Sequence, residues 1–213
     1  MPVIMCRVQR ISREGRSNAE PSETTRQAPQ WSMRQRIAIA YLNGALGDAS
    51  RNKRSRIRYA QKYPEWLETL QRLLAEIGSA SWIYREGKQR QVFILETCCP
   101  YLDFACDAER LETHDEKIAY IKGFFDAEGG VPRRADAKFY IQLVQKDQGK
   151  IEKLARVLST LSIKTGKVHN PSVHVDPEYW RVFVSTSSHF AFARIIGSLH
   201  PIKGPILQTR MKI

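Results

Sequence analysis

The sequence contains few cysteines and no long apolar run. Its four cysteines form no CxxC pair and have no histidines at zinc-ligand spacing: Cys6, Cys98, Cys99 and Cys106. That pattern excludes a structural zinc site and favours free thiols in a reducing compartment. No apolar stretch approaches the roughly 20 residues of a membrane span, and residues 3–5 are too short for the apolar core of a signal peptide. We therefore expect no membrane partner, no secretion, and a location in the prokaryotic cytoplasm or in an organelle.

Acidic residues are also in short supply. The chain has 34 Lys and Arg against 22 Asp and Glu, a formal charge of +12 and a pI near 9.7. Such a surplus favours a polyanionic partner, with DNA or RNA as the first candidates, although a merely soluble basic protein is the alternative. Residues 1–30 are rich in Ser, Arg, Glu, Pro and Gln, with little apolar periodicity, which predicts a flexible basic tail.

An internal repeat organises the rest of the chain. Gln61 and Gln145 are each followed by an amphipathic helix pattern, and both the glutamines and the ends of the two patterns are offset by the same 84 residues (145 − 61 and 161 − 77). The apolar positions of the two patterns are Leu67, Leu70, Leu74 and Ile77, and then Ile151, Leu154, Leu158 and Leu161. Such duplication predicts two related halves, which we place at 31–111 and 112–213.

Each half begins with a helix of small and apolar residues that ends in a carboxylate. In the second half the helix leads to Glu128, which Gly129 and Gly130 follow. An acid at a helix C-terminus is unfavourable unless a cation offsets it, so Glu128 is predicted to bind a divalent metal. In the first half the equivalent acid is Asp48. There Leu46 replaces the earlier acid, and the glycine lies four residues before the last acid instead of five.

Other patterns predict the remaining elements. Ser32 is predicted to cap the first helix, and Thr113 begins the second motif helix with capping-box spacing. The predicted elements are a helix at 32–47, a strand at 51–59, a helix at 64–78, a hairpin of 82–84 with 91–97, a short segment at 100–111, a strand at 138–144, a helix at 149–161, a hairpin of 163–169 with 180–186, a helix at 188–199 and a basic end at 201–213.

The motif at residues 119–131 resembles the signature of the LAGLIDADG homing endonucleases, and residues 41–50 resemble the GDG-type variant of that signature. The resemblance covers about 32–213. It implies an α+β fold in which two pseudo-symmetric αββαββα halves form a saddle of antiparallel sheets over DNA. It further implies a monomer with internal pseudo-two-fold symmetry that makes a double-strand break in a long, non-palindromic site during intron or intein homing.

The same resemblance implies a metal-dependent nuclease centre. Hard cations prefer oxygen ligands, so a carboxylate-rich site without a His or Cys cage favours Mg²⁺ (or Mn²⁺). The predicted metal site comprises Asp48, Glu128 and the residues just before them, Gly47 and Ala127. Polar residues at the two strand-to-helix junctions complete the predicted catalytic set: Gln61, Lys62, Gln145 and Lys146. The alternatives are ordinary surface acids and solvated lysines.

Basic and amide side chains on the strands and hairpins are the predicted DNA-binding residues, because Arg and Lys pair with guanine and Gln with adenine in the major groove. Each one alone could equally contact a phosphate. The set is Arg51, Lys53, Arg54, Arg56, Arg58, Arg85, Lys88, Gln89, Arg90, Arg133, Arg134, Lys138, Gln142, Lys164, Lys167, His169, Asn170, His174 and Arg181. Two other functions fit the same scaffold: a maturase that binds intron RNA, and a DNA-binding regulator that does not cut.

Overall fold

A computed structural model describes residues 30–53, 55–87 and 92–213, so the predicted tail falls almost wholly outside the described residues. The helices are α1 (Met33–Gly44), α2 (Glu65–Glu76), α3 (His114–Glu128), α4 (Gln148–Thr160), α5 (His189–Ile195) and α6 (Lys203–Met211). The strands are β1 (Ala49–Arg51), β2 (Ile57–Gln61), β3 (Ser81–Glu86), β4 (Val92–Thr97), β5 (Gly129–Gly130), β6 (Gln142–Gln145) and β7 (Trp180–Phe183). Short 3₁₀ helices occur at Ala45–Asp48, Ala108–Arg110 and Thr186–Ser188.

Both motif helices begin with a capping box, which confirms the predicted box at Thr113 and adds Gln35 as a partner to the predicted N-cap at Ser32. The Ser32 hydroxyl accepts from the Gln35 backbone N–H, while the Gln35 side chain accepts from the Ser32 N–H. Thr113 and Glu116 make the same reciprocal pair at the start of α3. Each box satisfies two N–H groups that the first helical turn leaves without a partner, which fixes where the helix starts.

The strands form two antiparallel sheets. The first sheet has the order β1-β2-β4-β3, and the second has the order β5-β6-β7. In each sheet a short strand follows directly from a motif helix: β1 follows the 3₁₀ turn after α1, and β5 follows α3. The fold is therefore α+β with antiparallel sheets, as predicted.

The core lies between these sheets and the helices. The predicted amphipathic helices α2 and α4 bury their apolar faces, and burying one such side chain stabilises the fold by about 1.5–3 kcal/mol. The buried positions include Leu67, Leu70 and Leu74 on α2, and Ile151, Leu154 and Leu158 on α4. In the described part of the chain no helix combines the length and the apolar character that crossing a bilayer requires.

The prediction of a single strand at 51–59 is wrong, because a turn separates β1 from β2. The backbone N–H of Ser55 donates to the carbonyl of Asn52 at 3.0 Å, and the N–H of Arg56 donates to the Asn52 side-chain oxygen at 3.0 Å. Ser55 has a φ of 58°. An Asn side chain that accepts from a backbone N–H further along the chain stabilises a turn and not a continuing strand. The alternation of charged and apolar residues therefore did not indicate an uninterrupted strand.

The second half departs further from the predicted pattern. The predicted strand at 138–144 is shortened to β6, and 163–169 makes only isolated bridges at Thr165 and His169. The predicted helix at 188–199 ends at Ile195, with Gly197 following at a φ of 62°. The basic end then folds back as α6, which the sequence did not predict. The first half closes with a 3₁₀ turn, so the two halves match the αββαββα scheme only in part.

Candidate active site

The two motif helices cross in backbone contact. A Cβ built on Gly44 would lie 2.0 Å from the Tyr120 carbonyl oxygen, and a Cβ on Gly123 would lie 2.0 Å from the Tyr41 carbonyl oxygen. Real Cβ atoms do not approach so closely, so only glycine permits this crossing at either position. The ends of the α1 and α3 segments are therefore held next to each other by main-chain contact.

This crossing brings the two predicted metal-binding acids together. Asp48 ends the 3₁₀ turn after α1, and Glu128 ends α3. A Cβ on Gly47 would lie only 2.4 Å from Cγ of Glu128, so the residue before one acid packs against the side chain of the other. The small residues that the motifs require thus allow two carboxylates from distant parts of the chain to share one site.

The surroundings of the pair disfavour its charged forms. Loss of contact with water raises the pKa of Glu128, and the nearby charge of Asp48 raises it further. The pKa of Asp48 is also raised, again because the surrounding protein removes water, although Asp48 keeps one side open to solvent. Nearby Lys203 and a hydrogen bond from Gln61 partly oppose this rise. Two acids with raised pKa values in one cleft are typical of a functional site.

The strand-to-helix junctions differ between the halves. Nε2 of Gln61 donates to Oδ2 of Asp48 at 2.9 Å, so the first-half glutamine contacts the acid of its own half. The side-chain oxygen of Gln145 instead accepts from the backbone N–H of Lys146 at 2.7 Å. Lys62 and Lys146 are both exposed beside their glutamines, and the Lys62 Nζ lies 5.6 Å from the centre of the Tyr63 ring. Of these four junction residues, all within the described part of the chain, Gln61 is the one that hydrogen-bonds to an acid of the site.

Asp126, two residues before Glu128, has a structural role. Its carboxylate accepts hydrogen bonds from the Tyr41 hydroxyl at 2.6 Å, from the Leu199 N–H at 2.9 Å and from the Ser198 hydroxyl. Burial raises the pKa of Asp126, and these donors oppose the rise. The contacts join α3 to α1 and to the segment after α5. Asp126 therefore links three parts of the fold next to the site.

Lys203, the first residue of α6, lies at the site although the sequence did not single it out. Its Nζ lies 2.9 Å from the Phe125 carbonyl oxygen, 2.8 Å from that of Asp126 and 3.5 Å from that of Ala127. The Phe125 carbonyl also accepts from the backbone N–H of Gly129, so Lys203 mainly supplies a donor to the carbonyls that follow it at the helix end. Burial lowers the pKa of Lys203 to about 8, against the opposing pull of Asp126, Asp48 and Glu128.

A cavity of about 270 Å³ opens beside the acids. Its lining includes Asp48, Gln61, Arg133, His200 and Lys203. His200 is an isolated histidine in the sequence and carries no motif, yet it lines this cavity. Burial, together with the nearby Lys203 and Arg133, lowers its pKa to about 4, so it is neutral at pH 7. The cavity therefore combines the carboxylates of Asp48 and Asp126 with an amide and cationic side chains.

The residues present fit a divalent cation. Two carboxylates with raised pKa values meet, and a cation between them would favour their charged forms. Within the described residues no group of three or more His, Cys, Asp and Glu side chains could hold a metal. Asp48 and Glu128 would thus need backbone carbonyls, water or a phosphate oxygen as further ligands, which hard cations accept readily. Gly47 and Ala127 lie at this point of the chain, and the Ala127 carbonyl is the one that Lys203 approaches least closely.

The predicted DNA-binding residues are spread over both halves. Half-buried positions are Arg56, Arg58, Gln142, His169, Asn170 and Arg181, and exposed positions are Arg51, Lys53, Arg85, Arg133, Arg134, Lys138, Lys164, Lys167 and His174. Arg134 is paired with Asp136 at 2.7 Å. Arg54, Lys88, Gln89 and Arg90 lie outside the described residues. DNA contact by each of these side chains stays a prediction.

Solved structures of two proteins are similar in fold. I-DmoI in complex with DNA and Ca matches with a TM-score of 0.62 and 22% identity over 83% of this chain and 99% of that chain. I-DmoI is described as a homing endonuclease, and other structures of it contain DNA and Mn, or its target DNA in the presence of Mg.

The second similar protein is DUF199/WhiA. Its N-terminal LAGLIDADG domain matches with a TM-score of 0.59 and 12% identity over 80% of this chain and 85% of that domain. The full-length protein from Thermatoga maritima matches with a TM-score of 0.60 and 13% identity over 88% of this chain and 64% of that one. At such identities the similarity shows the fold.

Sequence comparison gives a more direct result. No curated protein matches the chain. A family model described as the LAGLIDADG-like domain matches residues 40–103 and 115–197, so each match contains one of the two acids. The matched segments make up more than half of the chain, and the protein therefore belongs to the LAGLIDADG-like domain family.

Proposed function

We propose that the protein is a site-specific, divalent-metal-dependent DNA endonuclease that makes a double-strand break in a long, non-palindromic site, as in intron or intein homing. The meeting of Asp48 and Glu128 at the glycine crossing carries this proposal. The surplus of 12 positive charges suits DNA as the partner. The fold that this chain shares with I-DmoI, whose structures contain DNA with Ca or Mn, supports the same partner and a divalent cation, Mg²⁺ or Mn²⁺.

In this mechanism the two carboxylates hold the cation, which when bound would activate water and offset charge on the phosphate. Gln61, through its hydrogen bond to Asp48, fixes the orientation of that carboxylate and offers an amide oxygen to water. Lys62 and Lys146 are exposed and long enough to reach phosphates on either side. Lys203 keeps a positive charge beneath the pair, which favours ionised acids before any metal binds.

The halves differ in the side chains of their sheets, which supports a non-palindromic target and a single chain acting as a monomer. On the first sheet Arg58 forms ion pairs with acids, whereas on the second sheet Arg181 lies 4.9 Å from the centre of the Phe183 ring. Two different reading surfaces around one centre would recognise two different half-sites. The division at residues 111 and 112 is part of this proposal.

The proposal is tested by selecting cleavable sequences from a randomised DNA library with Mg²⁺, and then measuring single-turnover cleavage of the selected site. Asp48→Asn and Glu128→Gln should each reduce the rate by at least about 10³-fold, because each removes several kcal/mol of charge stabilisation. Both variants should bind the site in EDTA as the unmodified protein does. Asp136→Asn, which alters an exposed acid outside the site, is the matched control and should cut normally. Wild-type cleavage by either acid variant would remove the catalytic assignment.

A second candidate is nucleic-acid binding without cleavage, either by a DNA-binding regulator or by a maturase that binds intron RNA. The departures of the first motif, with Leu46 in place of an acid, favour it. In that case the library would yield bound sequences but no cut ones. For DNA, binding should weaken steeply with salt, because neutralising several phosphates releases their counterions. A flat salt response would argue against DNA as the partner.

A further inference from the structure

The outward face of the first sheet carries an ordered set of polar and aromatic side chains. Ile57, Tyr59 and Leu95 are buried on the face that packs against the helices. Residues at alternate positions lie on the other face, and the strand register places Arg58 opposite Glu96 and Glu96 opposite Trp82. We call the set Arg56, Arg58, Trp82, Tyr84, Glu86 and Glu96 the arginine face.

Glu96 lies at the centre of the arginine face. It is only 6% exposed, although it is on the side of the sheet that turns away from the helices. Its Oε1 accepts from the Tyr84 hydroxyl at 3.0 Å and lies 3.0 Å from Nε of Arg58. Its Oε2 accepts from Nη1 of Arg56 at 3.2 Å. One buried carboxylate thus contacts both arginines.

Each arginine is restrained by a second contact. The guanidinium of Arg56 lies 5.2 Å from the centre of the Trp82 ring, and Nη2 of Arg58 donates to Glu86 at 2.7 Å. An arginine carries five N–H donors in a planar fork, so these contacts leave donors on both side chains for a ligand. The Arg56 and Arg58 side chains remain 37% and 29% exposed. They are fixed in place and still reachable.

The charges of the arginine face cancel, since Arg56 and Arg58 oppose Glu86 and Glu96. A neutral surface adds little to the general attraction of the protein for phosphates, which depends on excess positive charge. Two restrained arginine forks are well suited to reading base edges, because a bidentate Arg–guanine pair depends on the orientation of the fork. Holding them in advance also reduces the ordering cost of binding.

We propose that Glu96 is a positioning residue that presents Arg56 and Arg58 as a pair of guanine readers for one half of the DNA target. This inference rests on the proposed DNA-binding function but not on cleavage. The second sheet provides a contrast within the same molecule. There Nε of Arg181 lies 3.3 Å from Nε2 of His169, and the guanidinium stacks on Phe183. Arg181 forms no ion pair with an acid among the described residues.

The test measures binding preferences in EDTA with a randomised double-stranded library, using the full chain with Glu128→Gln so that cutting cannot interfere. The reference protein should prefer guanine at two positions of one half-site. Glu96→Gln keeps the shape but loses the charge, and should reduce that preference about tenfold at both positions. The preferences in the other half-site and the salt dependence of non-specific binding should not change.

Two further variants make the test decisive. Arg58→Lys keeps the charge but loses the fork, and should relax guanine preference at one position only, which tests the reader role even if Glu96→Gln fails to fold. Arg181→Ala should change the opposite half-site alone. A Glu96→Gln protein with the reference melting temperature and unaltered preferences would overturn the proposal, as would an equal loss at every position. If the unmodified protein cut no DNA while the guanine preferences remained, only the proposed nuclease activity would be contradicted. If the protein bound no DNA at all, both proposals would fail.

Discussion

The two halves hold equivalent acids by different means. Asp48 ends a 3₁₀ turn, is open to solvent and accepts a hydrogen bond from Gln61. Glu128 ends a 15-residue α-helix, is half-buried, and lies beside helix-end carbonyls that Lys203 satisfies. Both halves of the repeat place an acid where the motif helices meet, but different neighbouring groups control the charge of each acid. Mutations at matching positions of the two halves should therefore have unequal effects.

The largest expected difference between the two halves concerns Lys203. Among the described residues, no lysine caps the end of the first motif helix as Lys203 caps the end of the second. Lys203→Met should lower the free energy of unfolding by about 1–3 kcal/mol, since it removes the Nζ donor from the carbonyls at the end of α3. Chemical denaturation of the metal-free protein at pH 7 would measure this loss. Lys212→Met alters an exposed lysine near the end of the chain and should have little effect. An equal loss in both variants would contradict the capping role.

The pH dependence of stability in the unmodified protein and in Lys203→Met tests the same role of Lys203. Lys203 has a pKa of about 8 in the folded protein against an ordinary 10.5. Between these values the unfolded chain binds more protons than the folded one, so this group makes stability rise with pH over that window. Lys203→Met should lack that rise. Parallel stability curves for the two proteins from pH 8 to pH 10.5 would refute the assignment.

The next comparison is between the two junction glutamines. Gln61 bonds to Asp48, whereas Gln145 bonds to the backbone of its neighbour. Gln61→Ala should slow cleavage about tenfold, consistent with one lost hydrogen bond to a charged group, and Gln145→Ala should slow it less. Single-turnover rates on the selected DNA site would compare them. Equal losses would mean that the two junctions become equivalent once DNA is bound.

The smallest effect concerns the stability of the metal-free protein. Because the pKa values of Asp48 and Glu128 are raised in the folded state, their ionisation opposes folding above the ordinary carboxyl range, and this cost disappears as the pH falls through the folded values. Asp48→Asn should therefore raise the melting temperature in EDTA at pH 7 by about 1–3 °C. Glu128→Gln should do the same, and saturating Mg²⁺ should remove the advantage by stabilising only the unmodified protein. A lower melting temperature for both variants in EDTA would show that the acids do not oppose folding.

The starts of the two motif helices and the pair of acids could be predicted from the sequence because local signals carry them. Ser32 and Thr113 mark helix starts, and the spacing of small residues before Asp48 and Glu128 marks the helix crossing. Lys203 could not be predicted, because it reaches α3 from 75 residues further along the chain (203 − 128) and belongs to no repeated motif. The same holds for Glu96, whose partners depend on the register of β2, β4 and β3.

The stretch at 163–169 pairs antiparallel with 181–184, within the predicted hairpin, but it does not form the predicted regular strand, for another reason. Its apolar residues suited a strand, but only two isolated bridges connect it to the second sheet and its neighbours. A local strand pattern shows that a segment can pair with a neighbouring strand. How many of its residues pair depends here on the long connection to β7. Regularity in one copy of a repeat is therefore weak evidence for regularity in the other.

The contact through Gly44 and Gly123 has a consequence for how such a protein can change. Because the main chains touch there without intervening side chains, the separation of Asp48 and Glu128 is set by the peptide backbone itself. In the proposed nuclease, substitutions on either sheet would then alter which bases are preferred while the two acids keep their separation. New targets could accordingly be acquired one half at a time, without redesign of the chemistry.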